Sequence, residues 1–373
     1  MNRTIKISLW VVAIIIIATV GYFQIGNKAN KDTSTIKIGT SLPLTGEAAS
    51  YGEGILAAEQ LAIKEINDAG GIDGRMLELI AEDDKCDSTG AAAMQKLVAI
   101  DKVVAVAGLL CSSSAGSSVS IAQKAGVPVV MIASAPKLTQ TGDYIFRNYP
   151  SDNFQGKFVA EYMFNTLKKT KVAVIYVKND WGQGTQEVFV SRFKELGGEI
   201  VYLDGVSQSA TDFRTTLTKM KTFSPEAIYM PVYPTNAGPA LKQISDLGIN
   251  IPVVGGDSFS GAEVTKIKES NGALYVTVKL ASLDDFQNKV KTVIGKTPNQ
   301  FSSFGYDEVK MIARAIKNAD STDGAKIRNE LAKMKFTESI SSLNAEFDQN
   351  RELKSADYDV FVVKDGKTEK YSQ

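Results

Sequence analysis

The 373-residue chain has no histidine. That excludes Ser-His-Asp and Cys-His catalysis, histidine-ligated metal sites and the commonest general acid–base near neutral pH. Cysteine is scarce: Cys86 and Cys111 are the only two, too few for a zinc site built from cysteine clusters. An excess of either charge is missing as well. Lys+Arg and Asp+Glu number 42 each, so no net positive field draws a nucleic acid. These absences point away from an enzyme, from any cofactor and from nucleic-acid partners. What is present is ordinary globular composition, 44% hydrophobic and 23% charged. The length suits about two domains.

One long hydrophobic run stands out. No residue between Lys6 and Lys28 is charged, and Ile7 to Ile25 is almost wholly apolar. As a helix it would rise about 28 Å, close to the hydrocarbon thickness of a bilayer. The competing reading is a cleavable signal peptide, whose apolar core is normally about 7–15 residues. No small-x-small cleavage site follows the run, and no nearby cysteine offers lipid attachment. The expectation is a cytoplasmic stretch 1–6, a transmembrane anchor or signal at 7–25, a polar linker at 26–35 and an exported body. Arg3 and Lys6 favour the amino terminus inside. In an oxidising compartment Cys86 and Cys111 are either one bridge or two buried thiols.

Beyond the linker, short β-branched runs alternate with longer amphipathic ones, the pattern of βαβ units around parallel sheets. In the first half this predicts strands at Ile36–Thr40, Met76–Ala81, Val103–Leu109 and Val127–Ile132, with helices at Gly54–Asp68 and Gly90–Asp101. The second half predicts strands at Val172–Val177, Ile200–Leu203, Ala227–Met230 and Pro252–Val254. Its helices fall at Gly184–Leu196, Asp212–Lys221 and Ala237–Leu247. Aromatic-Gly-x-Gly recurs after the first strand of each half, at Tyr51–Gly54 and Trp181–Gly184. The fourth strands also match, Gly126–Ser134 with Asn250–Ser258. The fold class is therefore α/β, with two similar Rossmann-like (flavodoxin-like) lobes.

Open parallel sheets bind ligands outside the carboxyl ends of their strands, so two facing sheets create a cleft lined by strand-to-helix loops. Ser112 and Ser134 end neighbouring strands in the first half. Their hydroxyls, with backbone N–H groups at a helix start, suit a carboxylate; helix capping is the simpler role. Asp257 ends a strand in the other half, where it suits an ammonium group or a helix N-cap. Tyr51, Leu110, Trp181 and Tyr233 offer apolar or aromatic surface in the same loops. A free α-amino acid fits this combination. Other motifs fail. Gly52–Ala57 has dinucleotide-type spacing but lies too far from its strand. Gly256–Gly261 has P-loop glycine spacing without the lysine. The acidic run Glu82-Asp83-Asp84 with Asp87 lacks calcium-loop spacing and reads as a solvated loop.

The body from about Ile36 to Lys364 carries, in order, Ser41-Leu-Pro-Leu-Thr-Gly46, Tyr51-Gly52, Ile66-Asn-Asp-Ala-Gly-Gly-Ile72 and Asp83-Asp-Lys-Cys-Asp87. Cys111-Ser-Ser-Ser114, Pro136-Lys-Leu-Thr139, Phe146-Arg147 and Trp181-Gly-Gln-Gly184 follow. Phe213, Gly305-Tyr306 and Phe347-Asp348 complete the set. In these motifs the chain resembles the leucine/isoleucine/valine-binding proteins, periplasmic receptors of branched-chain amino-acid ABC importers.

The resemblance implies two lobes joined by a three-crossover hinge, with the ligand between them: 36–149 plus 283–350, and 150–282 plus 351–373. It implies a Cys86–Cys111 disulfide, ligand carboxylate on Ser112 and Ser134, backbone groups from Ala133, and contact from Tyr233. The ammonium partner falls on Asp257, and the side-chain pocket on Tyr51, Leu110, Trp181 and Phe301. An ABC permease in the membrane is the implied partner. Two positions depart from the family pattern, Trp181 for a tyrosine and Asp257 for a glutamate. Amides, small aromatic acids and a ligand-sensing role on the same fold are the alternatives.

Overall fold

The computed structural model describes residues 34–280, 283–295, 298–341 and 345–371. The expected membrane segment at 7–25 lies outside the described residues. Among the described residues no helix is long and apolar enough to cross a membrane.

Two large sheets, one all parallel and one mostly parallel, organise the described residues. The first holds β1 (Ile36–Leu42), β2 (Leu77–Asp83), β3 (Ala105–Gly108), β4 (Val129–Met131) and β5 (Ile145–Arg147), in the order β2-β1-β3-β4-β5. The second begins with β6 (Lys171–Val177), β7 (Glu199–Val206), β8 (Ala227–Met230), β9 (Val253–Gly255) and β10 (Leu274–Val278), ordered β7-β6-β8-β9-β10. Both orders are the flavodoxin-like 2-1-3-4-5, so the internal repeat in sequence is a repeat of topology. After β10 the chain returns to the first lobe, where helix Ser302–Ala319 packs on helix Ala49–Asp68. A short pair, β11 (Lys335–Phe336) and β12 (Ala345–Glu346), follows. The chain then crosses back as β13 (Tyr358–Lys364) and β14 (Lys367–Lys370), added antiparallel to the edge of the second sheet beside β10.

Central strands are buried on both faces, which is why they read as unbroken apolar runs: β3, β4 and β8 have no exposed residue. Each sheet is sandwiched between two apolar layers. A further cluster lies between the lobes, combining Leu42, Tyr51, Ile132 and Tyr149 with Val278 and Phe301.

The helices after the first strands begin earlier than periodicity predicts, at Ala49 and Asp180. Tyr51 and Trp181 thus sit in first helical turns, not in loops. The following glycines explain the placement. A Cβ on Gly52 would lie 2.0 Å from Pro43 O, and one on Gly182 2.1 Å from Val177 O. Both helices press their first turn directly onto the chain leaving the strand. The run Gly90–Asp101 begins as an α-helix and widens into a π-helix from Lys96.

Candidate functional site

Serine placement begins with the turn after β3. Cys111 precedes helix Ser112–Ala125 and is bridged to Cys86, with Cα atoms 5.2 Å apart. Ser112 is the first helical residue and does not cap its helix; its Oγ accepts the Ala135 N–H at 3.2 Å, tying two strand ends together. The first N–H groups of this turn have no intrahelical partner, and Ser112 at its start lines the cavity. Beneath them Ser114 Oγ donates to Asp84 at 2.9 Å, and Asp84 also accepts from the Cys86 N–H at 2.9 Å. Asp84 is fully buried, and that burial lifts its carboxyl to about 6. The acidic run therefore does not behave as a solvated loop at Asp84, which anchors the disulfide turn.

Across the cleft Asp257 opens a short turn after β9. It caps no helix; its carboxylate accepts from Tyr149 Oη at 2.5 Å. Burial holds its pKa above the usual carboxylate range, and the Tyr149 bond works in the opposite direction. Gly255 beside it is required because a Cβ there would meet the Phe259 ring at 2.3 Å. Below Asp257 a second buried carboxyl, Asp152, is lifted to about 7, first by burial.

The remaining walls are aromatic and aliphatic. Trp181 stacks on Tyr233 with ring centroids 5.1 Å apart, and Tyr233 Oη is held by Asn179 Nδ2 at 3.2 Å. Tyr51 meets Phe301 edge-on at 5.2 Å and donates from Oη to Ser258 O at 3.3 Å, a bond between the lobes. The cavity so enclosed has about 480 Å³ of free space including its mouth. Tyr51, Leu110, Ser112, Ser134, Trp181, Tyr233, Asp257 and Phe301 all line it.

Ala133 does not line this cavity. Its N–H donates to Leu109 O at 2.8 Å and its carbonyl accepts from Arg147 Nε at 2.8 Å. Arg147, fully buried and paired with Glu352 at 2.7 Å, draws that carbonyl inward. Sequence reasoning missed Tyr149, Ala48 and Ile132, which also line the cavity. Tyr149 lies in an irregular stretch with no periodicity to mark it. Ile132 reads as ordinary strand core.

A cleft between two parallel α/β lobes, with donors on one wall, a carboxylate on the other and aromatics between, defines a two-lobed small-molecule binding protein. The chain belongs to the periplasmic binding protein family, whose model matches residues 35–368. A leucine-, isoleucine-, valine-, threonine- and alanine-binding protein of Pseudomonas aeruginosa is 30% identical over 335 residues, covering 88% of this chain and 89% of that protein. Among solved structures, a leucine binding protein from Thermotoga maritima superposes with a TM-score of 0.84 at 26% identity, over 91% of this chain and 98% of the other. A branched-chain amino acid transporter substrate binding protein from Streptococcus pneumoniae, in complex with isoleucine, gives 0.81 at 30% identity, over 90% and 98%.

Proposed function

We propose that this chain is the extracytoplasmic solute receptor of an ABC importer for a branched-chain or other apolar α-amino acid. The observation that carries it is the polarity of the cleft: the Ser112 and Ser134 hydroxyls with the first-turn N–H groups of helix Ser112–Ala125 on one side, the Asp257 carboxylate opposite, and Tyr51, Leu110, Trp181 and Phe301 between. A carboxylate is held without a positive side chain, an ammonium by Asp257, and an aliphatic side chain by the rings. Tyr233 adds contact from the second lobe.

Mechanistically, ligand groups bridging both lobes favour the closed over the open arrangement. We place the lobes at 36–149 with 283–350, and 150–282 with 351–373, hinged where the chain crosses. The apolar run 7–25 would tether the body to the membrane beside its permease; fractionation of cells expressing the full chain should find it in the membrane pellet, and recovery in the soluble fraction would refute the tether.

Calorimetry of the protein with L-leucine, L-isoleucine and L-valine tests the central reading. At least one should bind with a 1:1 stoichiometry. Absence of heat and of thermal stabilisation with every apolar amino acid would discard it.

A further inference from the structure

Behind the cleft wall, the first lobe buries two carboxyl groups that ligand contact does not use. Glu59, on helix Ala49–Asp68, and Glu308, on helix Ser302–Ala319, are fully shielded from solvent. The helices approach so closely that a Cβ on Gly305 would lie 3.4 Å from Glu59 Cγ. Each carboxyl has one satisfied oxygen. Glu59 Oε1 accepts from Thr40 Oγ1 at 3.0 Å, and Glu308 Oε2 accepts the Gly108 N–H at 2.8 Å. Those two donors are themselves neighbours, since a Cβ on Gly108 would lie 2.5 Å from Thr40 Oγ1.

Among the described residues, no donor reaches the other oxygens, Glu59 Oε2 and Glu308 Oε1. Burial pushes both groups up, Glu59 to about 8, and the charges of Glu59 and Asp307 push Glu308 further. Asp307 itself is occupied by Ser339, Ile340 and Ser341. Two carboxyl groups buried behind neighbouring donors resist ionising together, and a proton held between the orphaned oxygens would satisfy both.

Gly108 is where this matters for binding. It ends β3 with φ +86°, and Leu109 follows at φ +53°. That left-handed pair turns the chain so that Leu110 and Ser112 enter the cleft. Leu109 N–H donates to Ser41 O at 2.8 Å, and the carbonyls of Gly108 and Leu109 accept from Ile132 and Ala133 at 3.1 and 2.8 Å. The Gly108 N–H is the group of the turn that depends on a side chain.

We propose that Glu308, through a proton shared with Glu59, is a positioning residue that holds the Gly108–Leu109 turn and so presents Leu110 and Ser112 to the ligand. The ligand in this statement rests on the amino-acid reading above; the carboxyl pair does not.

Two variants separate positioning from bulk. In Glu308→Gln the amide oxygen can accept the Gly108 N–H while its NH₂ donates to Glu59, so no shared proton is needed. Glu308→Leu fills the volume but strands the Gly108 N–H. Calorimetry with L-isoleucine should show about a tenfold or greater loss of affinity in Glu308→Leu, with native circular dichroism, and near-native affinity in Glu308→Gln. Equal loss in both, or none in Glu308→Leu, overturns the role.

Unfolding temperature tests the shared proton without ligand. Groups with raised folded pKa values contribute stability that is complete below the unfolded value, about 4.3, and is lost as pH rises through the folded value. The advantage of Glu308→Gln over the native protein should therefore grow from pH 5 to 8. A constant difference refutes the shared proton. If native protein binds no L-isoleucine or other apolar amino acid, the amino-acid reading falls, and the pair is decided by the unfolding series.

Discussion

Asp257 is the residue on which the proposed binding chemistry turns. In the structure it is buried and held by Tyr149, with its pKa raised chiefly by burial. Removing it would leave a bound ammonium without its partner, so Asp257→Ala should weaken amino-acid binding by about 3–5 kcal/mol, read by calorimetry. An ammonium needs the ionised carboxylate, and a raised pKa keeps the neutral form at low pH. Affinity should therefore rise as pH is raised above the ordinary carboxylate range. The Tyr149 hydroxyl opposes the rise in Asp257 pKa. Tyr149→Phe should extend the weak-binding range upward, costing more affinity in mildly acidic than in alkaline buffer; a uniform loss across pH would exclude this role. That Asp257, Ser112 and Ser134 line the cavity was legible because a strand end followed by a small polar residue marks the mouth of a parallel sheet. Tyr149 was not, since an irregular connection carries no period to read.

At the scale of elements, the aromatic-Gly pairs show how a motif can be recognised and its location misjudged. Amphipathic spacing places the helices at Gly54 and Gly184, because the first turns carry Tyr51-Gly52 and Trp181-Gly182, which break the pattern of a well-formed helix. Contact with the preceding strand overrides that weak preference. A methyl group on Gly182 would collide with a carbonyl, whereas one on Gly184 would meet nothing nearer than Pro136 Cδ at 3.4 Å. Gly182→Ala should thus destabilise by about 1–3 kcal/mol in denaturant unfolding, while Gly184→Ala should be neutral or stabilising. Equal effects would mean that helix propensity, not strand contact, sets these positions. Ladder order was partly legible: the repeated motifs implied matching halves. The added strands β13 and β14 were not, because a carboxyl-terminal hairpin has no counterpart in the first half.

For the molecule as a whole, cross-lobe contacts join the walls of the cleft: Tyr51 with Ser258 O at 3.3 Å and Cys86 Sγ with Tyr233 Oη at 3.6 Å. A ligand that adds contacts to both lobes should shift the population toward this arrangement, and X-ray scattering should record a smaller radius of gyration with L-isoleucine than without. An unchanged radius with bound ligand would exclude hinge closure. The internal repeat, the exclusion of histidine-dependent chemistry and the residue types at the strand ends follow from sequence alone, because parallel sheets impose long apolar runs and fixed loop positions whatever the partner. Three-dimensional packing alone decided that Ala133 turns inward to Arg147, that Tyr149 reaches Asp257, and that Glu59 and Glu308 are buried behind neighbouring donors. These placements depend on how neighbouring strand ends, two helices or two lobes meet, a quantity that no local pattern encodes.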